Sequence, residues 1–187
     1  MRSSASTRSP PTRPGVRLLL LLGEEDNPKA CTGRKLVRRG DARAVVGPIP
    51  EGQRPVVLDP HAARPLSPSD LEAARRGGLL AVDCSWNRIA ARGALPPTIT
   101  LGPRRRLPLL IAANPQHYGR VNELNTAEAL AAGLYVLGDP LRAAGLLGGF
   151  RGGPVFLDVN RERLERYRTA ADADAVVAAE RALFGAA

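Results

Sequence analysis

Asp83 is the residue best placed to do chemistry. It closes the apolar run Leu79 to Val82, and a carboxylate at the end of a buried strand can take a proton from a substrate or face a cation. Asp59 stands in the same position after Val56 to Leu58. Two basic groups flank these carboxylates along the chain: Arg34, Lys35, Arg38 and Arg39 on one side, Arg104, Arg105 and Arg106 on the other. Side chains of this type hold phosphates, or else form a solvated face. Cys31 and Cys84 are the only cysteines. Two distant thiols without a suitably placed histidine make a poor zinc site, so no metal is expected.

The elements that must position these residues read as alternating strands and helices. Val16 to Leu22 is an unbroken apolar run, the pattern of a parallel strand covered on both faces. Val56 to Leu58 and Leu79 to Val82 repeat it. Ser67-Pro68-Ser69-Asp70 is a helix start, with a serine cap, proline at the first helical position and an acid in the first turn. That helix is expected to stop at Gly77-Gly78. Strand, capped helix, glycine, strand is a βαβ unit, and ligands of such units sit beyond the carboxyl ends of the strands, where Asp59 and Asp83 fall. After Arg106 the apolar stretch Leu107 to Ala113 is broken by Asn114-Pro115, and the rest is rich in alanine and leucine. Asn125 and Glu128 have capping-box spacing, which predicts a helix toward Leu137 ending near Gly138. Further helices are expected over Leu141 to Leu147, Leu157 to Arg168 and Ala171 to Phe184. The fold class is therefore α/β. A disordered basic tail covers 1–14, a parallel-sheet lobe 15–106 and a helical lobe 107–187.

With 187 residues the chain can build one full-sized core. Its 27 Lys and Arg against 18 Asp and Glu leave a net charge of +9, and such a surface gathers polyanions, nucleic acid first among them. Lys29 and Lys35 are the only lysines. The positive charge is thus mostly guanidinium, suited to planar, bidentate phosphate contacts and to stacking on bases. The apolar run at Val16 is too short to span a bilayer, so no membrane partner is expected, and the sparse cysteines fit a reduced, cytoplasmic setting.

Four segments, read in order, resemble the family of ribosomal-RNA aminocarboxypropyltransferases that act late in small-subunit maturation. They are Lys29-Ala30-Cys31-Thr32-Gly33 with Lys35-Leu36; Asp83-Cys84-Ser85-Trp86; Leu107-Pro108 running into Ala112-Ala113-Asn114-Pro115 and Tyr118-Gly119-Arg120; and Glu128-Ala129 with Phe156-Leu157 and Asn160-Arg161. Their joint order and spacing make the likeness specific. The chain departs from the family at Gln116-His117, where Val-Asn is common, and at Asn125, where Ser is common, so His117 inherits no role.

The resemblance implies a SPOUT-like fold with a deep trefoil knot, the second lobe threaded through a loop of the first. It implies S-adenosyl-L-methionine as cofactor and transfer of its 3-amino-3-carboxypropyl group to a (pseudo)uridine-type base of small-subunit rRNA, free or in the precursor small ribosomal subunit. The by-product is 5'-methylthioadenosine. It also implies a site. Thr32 faces the cofactor's carboxylate, Leu58 and Pro60 pack on it, the backbone of Val82 meets the ribose and that of Leu107 the adenine, and Asn122 and Thr126 complete the lining. Trp86 shields the methyl group and sulfonium through dispersion and cation–π attraction, and Asp83 handles the proton. A monomer is expected, because the helical lobe covers the surface that knotted methyltransferases use to pair. Two other readings compete: a knotted RNA methyltransferase that presents the methyl group instead, and a non-catalytic RNA-binding assembly factor.

Overall fold

The computed structural model of the chain describes residues 15–23, 31–47, 49–50, 52–83 and 102–185. Five strands among these residues form one all-parallel sheet in the order β2-β1-β4-β3-β5. They are β1 (Leu18–Leu22), β2 (Arg43–Ala44), β3 (Val56–Leu58), β4 (Leu79–Asp83) and β5 (Arg104–Arg105). The strand expected from Val16 begins at Leu18. β1 and β4 pair over their whole length, from Leu18 opposite Leu79 to Leu22 opposite Asp83, which brings their carboxyl ends level. Side chains alternate between the two faces. Leu18, Leu20, Val56, Leu58, Leu79 and Ala81 enter the main core, whereas Leu19, Val57 and Leu80 pack with Ile49 on the other side. With both faces covered, β1, β3 and β4 as far as Val82 carry apolar residues alone, hence their unbroken hydrophobicity.

Helix α1 (Thr32–Arg39) is capped by Cys31, whose Sγ accepts a hydrogen bond from the Arg34 amide at 3.3 Å. Helix α2 (Leu71–Gly77) is entered through a 3-10 turn, Pro68–Asp70, where the Ser67 amide donates to the Asp70 carboxylate at 3.2 Å. The Gly77-Gly78 stop has a steric cause. A Cβ on Gly77 would lie 2.0 Å from the Arg54 carbonyl oxygen, and Gly78 has φ 99°.

The second half contributes α3 (Thr126–Val136), α4 (Pro140–Leu147), α5 (Gly153–Val159), α6 (Arg161–Arg168) and α7 (Ala173–Phe184). α3 is buried along most of its length and packs on α4, α6, α1 and β4. Its capping box forms as expected: the Glu128 amide donates to Asn125 Oδ1 and the Asn125 amide to Glu128 Oε2, both at 2.9 Å.

The single helix expected over Leu157 to Arg168 is two helices, parted at Asn160. This side chain is fully buried. Its Oδ1 accepts from the Ile111 amide at 2.8 Å, and its Nδ2 donates to the carbonyls of Ile111 at 2.8 Å and Phe156 at 2.9 Å. Asn160 thus serves Ile111 as a strand neighbour would, and the chain turns around it. The last helix starts at Ala173 instead of Ala171, because the Asp172 carboxylate caps it through the Ala175 amide at 2.9 Å. β5 was also unexpected. It consists of two residues of the arginine run, which pair with Val57 and Leu58. The tail at 1–14, Cys84, Ser85 and Trp86 lie outside the described residues.

Candidate active site

A cavity opens beyond the carboxyl ends of β3 and β4, where α3 begins. Leu58, Asp59 and Pro60 line it from β3, Ala81 and Val82 from β4, and Arg106 and Leu107 from the segment after β5. Asn122, Leu124, Asn125, Thr126 and Ala129 complete it from the approach to α3 and its first turn. An apolar concavity with a few convergent polar groups suits a small organic molecule.

Asp83 stands beside this lining, buried at the end of β4. Thr126 Oγ1 donates to its Oδ1, and Cys31 Sγ donates to its Oδ2 at 2.7 Å. One carboxylate therefore ties β4 to the first residue of α3 and to the cap of α1. A Cβ on Gly33 would lie 2.4 Å from Asp83 Oδ2, so α1 presses its first turn on the carboxylate only because that turn carries a glycine. The positive end of the helix dipole favours negative charge there. Held by two donors, the carboxylate keeps its orientation and retains lone pairs for a cation or a proton.

The walls are fixed from behind. Asn122, at φ 58°, exchanges bonds with Leu110: its amide donates to the Leu110 carbonyl at 2.7 Å, and its Oδ1 accepts from the Leu110 amide at 2.9 Å. Asparagine tolerates this left-handed conformation better than most residues. The buried carboxylate of Glu128 accepts from the Ala113 amide at 2.9 Å and from Asn114 Nδ2 at 2.7 Å, besides its capping bond. Glu180 on α7 grips Arg106 through both oxygens, at 2.6 and 2.8 Å, and takes the Leu109 amide at 2.9 Å. Arg106 Nη1 reaches the Leu107 carbonyl at 3.3 Å, and the Tyr167 hydroxyl donates to the Leu109 carbonyl at 3.0 Å. The bonds that the Arg106 guanidinium donates to Glu180 hold its pKa above the usual value, and burial pushes that of the Tyr167 phenol up.

Six of the residues expected to bind cofactor, Leu58, Pro60, Val82, Leu107, Asn122 and Thr126, line this one cavity. Asp83 joins them through Thr126. Thr32 is the first residue of α1, half-buried between Cys31 and Gly33, which both meet Asp83. Trp86 lies outside the described residues. Sequence reasoning missed Glu180, a single acid on an alanine-rich helix, and the bond from Cys31 to Asp83. The capping box and the family segment Glu128-Ala129 pointed to Glu128, but not to its bonds with Ala113 and Asn114.

Arg104, Arg105 and Arg106 do not form a solvated face. Arg104 pairs with Asp59 at 2.7 Å, Arg105 with Asp70 at 3.0 Å and Arg106 with Glu180, and all three carboxylates are buried. On α1, Arg34 and Lys35 are half-buried while Arg38 and Arg39 are exposed. Arg39 pairs with Asp41 at 2.7 Å and lies over the Phe150 ring, 5.3 Å from its centroid. His117 Nδ1 lies against the Glu123 carboxylate on the loop before α3.

A cavity at the carboxyl edge of a parallel sheet, with a fixed carboxylate at its rim, defines an α/β protein built to bind a small molecule. Comparison with known proteins narrows the class. Residues 56–184 match the family described as "Ribosome biogenesis protein, C-terminal". A 16S rRNA aminocarboxypropyltransferase of Methanopyrus kandleri is 42% identical over 168 residues, covering 86% of this chain and 94% of that protein. An 18S rRNA aminocarboxypropyltransferase of Schizosaccharomyces pombe is 42% identical over 149 residues, 79% of this chain and 50% of its own length. The solved structure of a SAM-dependent rRNA:acp-transferase from Vulcanisaeta distributa superimposes with a TM-score of 0.78 at 39% identity, covering 90% of this chain and 89% of that one. The chain belongs to this rRNA aminocarboxypropyltransferase family of ribosome biogenesis.

Proposed function

We propose that the chain transfers the 3-amino-3-carboxypropyl group of S-adenosylmethionine to a (pseudo)uridine-type base of small-subunit rRNA during ribosome maturation. The observation that carries this reading is the match, over 90% of the chain at 39% identity, to a SAM-dependent rRNA:acp-transferase. A base nitrogen attacks the carboxypropyl carbon bonded to sulfur. The carbon–sulfur bond breaks, its electron pair returns to the sulfonium, and 5'-methylthioadenosine leaves. The proton from the nitrogen passes to Asp83. Orientation selects the product, since the same sulfonium also carries an electrophilic methyl group.

In this reading the apolar part of the cavity, with Leu58, Pro60, Val82, Leu107 and Asn122, takes the adenosine. Thr126, Thr32 and Asp83 take the charged amino-acid end, and Trp86 shields the methyl group. The α1 cluster Arg34, Lys35, Arg38 and Arg39 faces the RNA; Arg104, Arg105 and Arg106 add positive potential while held by their carboxylates. The same reading makes the fold a SPOUT-like trefoil knot, with lobes at 15–106 and 107–187. The segment that enters the second lobe is laced to the β3–α2 loop: the Arg106 amide donates to the Arg64 carbonyl at 3.0 Å, and its carbonyl accepts from the Leu66 amide at 2.7 Å. The protein acts as a cytoplasmic monomer on rRNA or the precursor small subunit.

The test uses small-subunit RNA with S-adenosylmethionine labelled either in the carboxypropyl carbons or in the methyl group. Carboxypropyl label in the RNA, with methylthioadenosine released, is the expected result. Methyl label in the RNA would make the chain a methyltransferase. Neither label, together with no donor binding by calorimetry, would leave an RNA-binding assembly factor.

A further inference from the structure

We infer that Glu180, on α7, is a positioning residue for the donor site: its carboxylate fixes the strip from Arg106 to Leu109, of which Arg106 and Leu107 line one wall of the cavity. This rests on the reading that the cavity holds S-adenosylmethionine. The strip needs an anchor beyond Arg106. β5 is only two residues long, its ladder ends at Arg105 opposite Leu58, and the last backbone bonds on that side are those of Arg106 with Arg64 and Leu66, yet Leu107, the next residue, must hold a wall of the cavity. Glu180 brackets Leu107 from both sides, gripping Arg106 by two bonds before it and the Leu109 amide after it. These partners lie 74 and 71 residues away in sequence.

The placement of a carboxylate here calls for such a role. Glu180 is only 4% exposed, and a buried charge costs free energy unless it is paired and hydrogen-bonded. On the core face of an alanine-rich helix, an apolar residue would pack without that cost. The bonds found for Glu180 all go to this strip. The Tyr167 hydroxyl adds a second rivet at the Leu109 carbonyl. Polar groups gather where Thr126 meets Asp83, which suits the charged amino-acid end of the donor. The strip with Leu58 and Pro60 then faces the flat, weakly polar purine, where affinity depends on close apolar contact. A wall that shifts when Glu180 is removed loosens the grip on the purine and leaves the reacting end in place.

The experiment uses the full chain carrying Glu180→Gln or, separately, Tyr167→Phe. Affinities for S-adenosylmethionine and for 5'-methylthioadenosine are measured by calorimetry, and KM and kcat by label transfer to RNA. Glu180→Gln should weaken both ligands by a common factor of about ten and raise the KM for the donor to match. It should leave kcat at saturating donor, and the KM for RNA, within about two-fold. Tyr167→Phe, which removes only one hydroxyl, should act in the same direction and by less; it decides the matter if Glu180→Gln does not fold. A folded variant with a lowered melting temperature but unchanged affinity for both ligands would reduce Glu180 to a packing role and overturn the inference. So would a loss confined to kcat. If the unaltered chain binds neither ligand, the cofactor reading itself fails; if it binds both and the variants bind equally well, this inference alone fails.

Discussion

The chemistry converges on Asp83, and two substitutions separate its charge from its placement. Asp83→Asn keeps the shape and an acceptor for Thr126 while removing the negative charge. Transfer to RNA should fall by about 10²-fold or more if the carboxylate takes the proton, measured as carboxypropyl label incorporated at saturating donor. Gly33→Ala works from the other side. Helix propensity alone would favour alanine by roughly 1 kcal/mol, but the new Cβ would lie 2.4 Å from Asp83 Oδ2. We expect a folded protein whose transfer rate drops at least about ten-fold as the carboxylate is pushed aside. A more stable, fully active Gly33→Ala protein would mean that the first turn of α1 does not bear on Asp83. Asp83 was legible in the sequence because it ends an apolar run. Its thiol partner was not, since Cys31 lies 52 residues away and nothing local links the two.

At the scale of elements, the readable signals were the local ones. The serine cap at Ser67, the capping box at Asn125, the Gly77-Gly78 stop and the unbroken apolar strands each state their structure within a few residues, and each formed to within a few residues of its expected place: β1 begins at Leu18 instead of Val16, and a 3-10 turn precedes α2 after Ser67. Asn160 and β5 were not readable because their reasons are distant: Asn160 ends a helix to serve Ile111, and Arg104-Arg105 becomes a strand because Val57 and Leu58 offer an open edge and Asp59 and Asp70 offer counter-charges. Replacing Asn160 with Leu strands the amide and carbonyl of Ile111. That should cost about 3 kcal/mol, or a fall of roughly 6–12 °C in melting temperature. The α6 residue Tyr167 gives a pH dependence. Burial raises its pKa above the ordinary value of 10.0, so the folded state holds the phenolic proton more tightly than the unfolded chain does. The resulting stability is complete below pH 10 and is lost as pH climbs beyond it toward the folded-state value. Urea titrations from pH 8 upward should show stability falling above pH 10 less steeply in Tyr167→Phe than in the unaltered chain.

For the whole molecule, the net charge of +9 hides two populations of arginine. Arg38 on α1 is exposed to a polyanion, Arg39 beside it is shared with Asp41 and Phe150, and the arginines of β5 and its exit are held by buried carboxylates. Replacing Lys35 and Arg38 with alanine should reduce the slope of log affinity against log salt for RNA by about 1 to 2, with donor affinity unchanged. Arg105→Ala should instead cost about 3 kcal/mol of stability, by leaving Asp70 buried and unpaired, as thermal unfolding would report. The pairing of Arg106 with Glu180 also sets a timetable. A ribosome adds roughly 5–20 residues per second, so the acid that closes this wall is made about 4–15 s after the arginine it grips, 74 residues earlier. The sheet and the rim carboxylate can assemble while synthesis continues, but the wall at Arg106 to Leu109 is anchored only once α7 has been made. A chain that has not yet reached Glu180 should therefore hold its donor about ten-fold more weakly than the finished wall does.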